Sequence, residues 1–112
     1  MAFQSFDDYW LAYLGAHSKP LTRACHYIGT VLGLFIGLAA SISIAWWALL
    51  VLGPIGYGIA LASHPFVQGN RPFARQPLWG FACDLRMLWL AFTGRLERHL
   101  QRAAVAAAGL GG

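Results

Sequence analysis

The sequence predicts an all-α protein built for a membrane: a two-span transmembrane hairpin with amphipathic interfacial helices before and after it. From Tyr27 to Ser63 there is no Asp, Glu, Lys, Arg or His. One span takes roughly 20 apolar residues, so this stretch accommodates two short spans joined by a tight turn. Over the whole chain 58% of residues are hydrophobic and 11% charged, whereas a soluble domain carries roughly 25% charged residues. The basic residues bracket the apolar block, with Lys19 and Arg23 before it and Arg71 and Arg75 after it. The candidate loop inside it, "SISIA", is uncharged. Cytoplasmic loops are enriched in Lys and Arg, so both termini are expected to face the cytoplasm, with a bacterial inner membrane as the location.

The length of 112 residues suits one domain: a single helical membrane domain over residues 1–102 and an Ala/Gly-rich tail over 103–112. The net charge of +4 is accounted for by topology and anionic headgroups, and nucleic acid is not an expected partner. The first segment, "MAFQSFDDYWLAYLGAH", is acidic and aromatic, unlike a cleaved signal peptide. Cys25 and Cys83 stand in apolar surroundings without paired spacing and are expected to be structural thiols.

In that first segment Phe6, Trp10, Tyr13, Leu14 and His17 recur at helical spacing, and Asp7 and Asp8 suit the positive end of a helix dipole. Pro20 disfavours helix in the residue before it and is welcome in a first turn, so it opens a second helix over about 20 to 41. Along that helix Cys25, Gly29, Gly33, Gly37 and Ser41 form a stripe of small residues four apart. In lipid, small residues let a second backbone approach closely. The third helix, about 45 to 64, starts with Trp46 and Trp47 at the far interface, is expected to kink at Gly53-Pro54, and has its own small stripe of Gly56 and Ala60 leading to His64. Residues 78 to 100 predict one more helix, interfacial rather than spanning because Asp84 and Arg86 interrupt it, with Trp79 and Trp89 as anchors.

Three histidines fall at element boundaries: His17 after the first helix, His26 where the apolar block begins, His64 where it ends. In an antiparallel hairpin, residues equally far from the turn lie at equal depth. The midpoint of His26 and His64 is Ala45, beside the polar break at Ser41 to Ser43, so both belong at the cytoplasmic end. His17 is tied to that end by a short turn. Taken singly, each histidine reads as an amphipathic interfacial side chain; together at one level they form a candidate site. Neutral imidazole suits iron, zinc, copper or nickel, and spacing does not choose among them. His99, in "GRLERHLQR", is expected to be solvated on a basic helix.

The pattern F-x-x-Y-W-x-x-Y-L-x-x-H from Phe6 to His17, then "RACHYIGT", "GPIGYGIALASHPFVQGNRPFARQPLW" and "CDLRMLWLAFTGRL", resembles the small membrane proteins of the 2-hydroxy fatty acid dioxygenase-like family. The resemblance covers roughly residues 6 to 96. It implies iron(II)-dependent α-oxidation, in which a 2-hydroxy fatty acid is shortened by one carbon with O2. It also implies that His17, His26 and His64 hold Fe(2+). The expected partners are then the lipid substrate, O2 and the membrane, with a homo-oligomer left open. Where the family block has a glutamate after its histidine this chain has Gln68, and Gly69 stands where a basic residue is usual.

The remaining candidates carry paired readings. Gln68, Asn70 and Asp84 are candidates for the chemistry: Asn70 to orient a ligand or cap a turn, Asp84 to receive a histidine N–H or to pair with Arg86 or Arg75. Arg71 or Arg75 would clamp the substrate carboxylate, or serve as cytoplasmic anchors. A non-catalytic lipid-binding or scaffold protein that keeps the fold is the alternative function, and a metal-binding membrane protein without oxygen chemistry is a third.

Overall fold

The computed structural model describes residues 5–71 and 77–109. Among these residues every regular element is helical: α1 (Phe6–Gly15), α2 (Pro20–Ser43), α3 (Ala48–Gln68), α4 (Pro77–Phe92) and α5 (Leu96–Ala107). The chain divides into two compact units, one from residues 19–71 and one from residues 5–18 with 77–109.

The first of these units is the pair α2 and α3, of 24 and 21 residues, each long and apolar enough to cross a membrane. Pro20 occupies the first turn of α2, as expected, and Lys19 precedes it in an extended conformation. The small stripe is the seam. Gly29 lies against Gly56, Gly33 against Leu52 and Gly53, and Gly37 against Leu49, so the helices run antiparallel. A Cβ on Gly33 would stand 3.3 Å from the carbonyl oxygens of both Leu52 and Gly53, and one on Gly56 would stand 2.9 Å from the Gly33 Cα. No side chain larger than hydrogen fits where Gly29 and Gly56 cross.

A strict spacing of four should not stay on one face of an α-helix, because each step overshoots a full turn by about 40°. Within α2, Val31–Ile36 is π-helical. Its i→i+5 bonding makes a wider turn that takes more residues per revolution, and this winds the accumulated rotation back. Ser41 consequently still faces α3, where its Oγ accepts the Leu49 N–H at 2.7 Å. The pair departs from the expected ends: α2 reaches Ser43, and α3 begins at Ala48 and continues to Gln68 through a second π-helical stretch, His64–Gln68. The helix is continuous through Pro54. Ile28, Phe35, Ile42, Leu50, Ile55 and Tyr57 are exposed.

In the second unit, Ser5 caps α1 by accepting the Asp8 N–H on its Oγ at 3.1 Å. Tyr9, Trp10, Tyr13 and Leu14 on α1 are buried, as are Cys83, Met87 and Leu90 on α4 and Leu96 and Ala103 on α5. Burial pushes the Cys83 thiol up to about 12, and both cysteines are free thiols.

The second unit departs from expectation at four points. The single helix over 78 to 100 is two helices, because Gly94 adopts φ 75 and closes α4 with the Gly94 N–H on Ala91 and the Arg95 N–H on Leu90. Trp79 packs edge-on against Phe6 and Tyr9, with ring centroids 5.7 and 5.4 Å apart, while Trp89 remains exposed. His99 is only partly exposed and accepts the Trp10 indole N–H on Nδ1 at 3.1 Å. The Ala-rich stretch is helical as far as Ala107.

Candidate metal centre

His64 is the first residue of the π-helical turn that ends α3. Its carbonyl oxygen accepts the N–H of Gly69 at 2.7 Å and of Asn70 at 3.0 Å. Gly69 makes this closure possible with φ 81, a conformation that costs glycine little. The same turn brings the Asn70 side chain back onto the ring, where the His64 Nδ1–H donates to Asn70 Oδ1 at 2.8 Å. An amide oxygen only accepts, so the proton sits on Nδ1 and the Nε2 lone pair is bare.

That Nε2 faces the Nε2 of His26 at 3.2 Å, with the rings nearly perpendicular and both residues buried. Two nitrogens each about 2.1 Å from one metal stand roughly 3.0 Å apart at a right angle and roughly 3.4 Å apart at the tetrahedral angle. The observed separation falls between these values. The pair therefore fits two ligands of one first-row ion, and equally a single shared proton when no ion is bound.

Gln68 is held at the same end of the pair. Its Oε1 accepts the backbone N–H of Lys19 at 3.0 Å and the hydroxyl of buried Thr22 at 2.8 Å. The Lys19 ammonium reaches the Val67 carbonyl oxygen at 3.0 Å. These bonds fasten the start of α2 to the turn that carries His64.

His17 follows α1 in a turn in which its own N–H donates to the Leu14 carbonyl at 3.1 Å. Its ring stacks on Tyr13, centroids 4.0 Å apart, and its Nδ1 lies 2.6 Å from the Tyr13 carbonyl oxygen. A carbonyl cannot donate, so Nδ1 carries the proton and Nε2 is the unprotonated nitrogen. The Tyr13 hydroxyl donates to Asp84, so the carboxylate expected to receive a histidine N–H takes the phenol stacked beneath one. His17 is itself buried.

Of the other candidates, Arg71 is exposed, and Arg75 lies outside the described residues. Sequence reasoning missed Tyr13, Lys19 and Thr22. Tyr13 precedes His17 by four, and Thr22 precedes His26 by four, the spacing that stacks side chains on one helical face. That spacing was the signal available.

The fold and these side chains define a protein that is helical throughout its described residues, in which His26 and His64 form a donor pair that could hold a metal ion. Over residues 3–96 the chain matches the family described as 2-hydroxy-palmitic acid dioxygenase Mpo1-like, and it belongs to that family. No curated protein and no solved structure matches it.

Proposed function

We propose that this protein is an iron(II)-dependent membrane dioxygenase that shortens 2-hydroxy fatty acids by one carbon. The observation that carries the reading is the pair of Nε2 atoms of His26 and His64 at 3.2 Å, with His64 oriented by Asn70, in a chain of this family. His17 completes the ligand set in this proposal. Only Ser18 separates it from Lys19, a reach of roughly 7 Å for two fully extended residues, and the Lys19 N–H is bonded to Gln68 beside the His64 turn. Bound iron(II) would supply the electrons and the open coordination positions that reaction with O2 needs.

The side chains have separable tasks in this scheme. Asn70 is a positioning residue for His64, and the Tyr13 carbonyl is one for His17; each fixes a tautomer with Nε2 bare. Asp84 acts through the Tyr13 hydroxyl. Gln68 accepts two donors that a carboxylate would accept equally well, so replacing the family's glutamate leaves the frame of the site intact. Burial of the three imidazoles excludes water from the donors. In this proposal lipid is the solvent for the exposed faces of α2 and α3, and Lys19, Arg23 and Arg71 support a cytoplasmic orientation of the site end of the pair.

Anaerobic purification followed by metal analysis, then O2 consumption with a 2-hydroxy fatty acid, tests the reading. Iron near one per chain and substrate-dependent O2 uptake are expected. Protein without metal would leave the lipid-binding scaffold in its place, and metal without O2 uptake would leave a metal-binding membrane protein.

A further inference from the structure

Between α1 and α5 lies a cleft lined by none of the side chains proposed for the metal centre. It encloses about 390 Å³, with Leu11 on one wall and Arg98, Gln101, Arg102, Val105 and Ala106 on the other. Ligand sites begin at roughly 300 Å³. The five residues from α5 stand at i, i+3, i+4, i+7 and i+8, which is one face of a helix. That face is cationic over Arg98 to Arg102 and aliphatic from Val105 on.

The cationic half carries a cost that packing does not explain. Like charges four apart on a helix repel and destabilise it. Arg102 is offset by Asp7, its Nη2 donating to Oδ2 at 3.0 Å. Arg98 is exposed and has no hydrogen bond or ion pair among the described residues. The excess charge is felt nearby: burial, and then the charges of Arg86, Arg102 and Arg98, hold the His99 imidazole below its ordinary value.

Two guanidinium forks at one opening suit an anion with several oxygens, and arginine takes phosphate by paired N–H···O bonds. The aliphatic half decides what the phosphate is attached to. Leu11, Val105 and Ala106 offer no aromatic ring on which a base would stack, so a nucleotide or nucleic acid fits poorly. A phosphate carried on glycerol and acyl chains fits both halves. With α2 and α3 long and apolar enough to cross a bilayer, such lipids are at hand.

We propose that the cleft between α1 and α5 binds the headgroup phosphate of an anionic membrane phospholipid. Arg98 and Arg102 hold the phosphate oxygens, and Leu11, Val105 and Ala106 lie against the glycerol and the upper acyl chains. A choline headgroup brings its own cation, which the two arginines repel, so the site discriminates by charge. This binding is separate from the dioxygenase reading and does not depend on it.

The test is native mass spectrometry of the full chain in detergent, titrated with phosphatidylglycerol or phosphatidylcholine of identical acyl chains. Wild type should bind the anionic lipid about tenfold more tightly. Arg98→Gln should lose most of that preference while melting like wild type, since the side chain is exposed. Arg95→Gln removes the same charge from the same helix outside the cleft and should stay within about twofold of wild type, as a lone surface charge does. Glycerol 3-phosphate, which has the phosphate without the chains, should not displace the lipid at equal concentration. No preference in wild type, or one that survives Arg98→Gln, overturns the proposal. So does an equal loss in Arg95→Gln, which leaves only a diffuse basic field, or displacement by glycerol 3-phosphate, which leaves a soluble phosphate ligand. The measurement needs no metal, so a chain that never binds iron can pass it and one that binds iron normally can fail it.

Discussion

The hydroxyl of Thr22, near the start of α2, donates to the side-chain oxygen of Gln68, at the end of α3, across 2.8 Å. Forty-six residues apart in sequence, they join the two ends at which His26 and His64 meet. Gln68→Ala should strand the buried Thr22 hydroxyl and the Lys19 N–H together, costing about 1–3 kcal/mol in thermal unfolding of the detergent-solubilised protein. Gln68→Glu restores an acceptor and should match wild type in both melting and turnover. A clear rise in turnover would show instead that the carboxylate takes part in the chemistry.

Iron content is the readout for the histidines. His17→Ala, His26→Ala and His64→Ala should each lose most of their iron yet keep the helical circular dichroism signal, because packing of apolar and small residues holds the helices. Asn70→Ala should lower metal affinity by about 10- to 100-fold, the usual effect of removing a ligand's hydrogen-bond partner. His99→Ala should keep its iron. If all three ligand variants retain metal like wild type, the proposed centre is wrong.

The seam of α2 and α3 can be tested with single atoms. Gly29→Ala and Gly56→Ala each drive a methyl into the other helix's backbone, and Gly33→Leu meets the Leu52 and Gly53 carbonyls. Each should cost about 1–3 kcal/mol or more. Gly58→Ala, with open space around its Cβ position, is the control and should melt at or slightly above wild type. Loss of stability at Gly58 with none at Gly29 would place the seam on the wrong face.

His99 gives a pH dependence with a defined sign. Burial first, then the positive charges of Arg86, Arg102 and Arg98, hold its imidazole below the ordinary value, opposed by Asp7. The folded state therefore resists a proton that the unfolded chain accepts, and Nδ1 is already occupied by the Trp10 N–H. This contribution is complete above the unfolded value of about 6.5 and declines as pH falls below it. Wild type should lose melting temperature between pH 6.5 and 5 faster than His99→Ala. Parallel slopes would refute the assignment.

Topology is the last test. A cysteine at position 43, replacing Ser43 at the end of α2, should be labelled from outside intact cells, and a C-terminal reporter should be active only inside. The reverse pattern would invert the proposed orientation.

The seam was legible in the sequence because small residues four apart admit a second backbone, and the depth argument centred on Ala45 correctly paired His26 with His64. The π-helical turns were not legible. Val31–Ile36 and His64–Gln68 have no compositional mark, since the wider turn answers to what it packs against rather than to intrinsic preference. Gly94 was a helix-stop signal, but the apolar period continued across it and concealed the break. His99 read as solvated because its neighbours are arginines; the partner that matters, Trp10, is 89 residues away in sequence. Asn70 was identified with two roles open; its backbone N–H and its side-chain oxygen each meet His64.

That double grip sets what it costs to use the ring. The imidazole of His64 is fixed by contacts that close within residues 64 to 70, a loop short enough that its closure entropy is small. Its rotamer and tautomer are settled before any ligand arrives. An ion binding there has little side-chain freedom to remove, so more of the intrinsic bond strength appears as affinity. Preorganisation of this kind also predicts speed, because capture need not wait for the ring to turn.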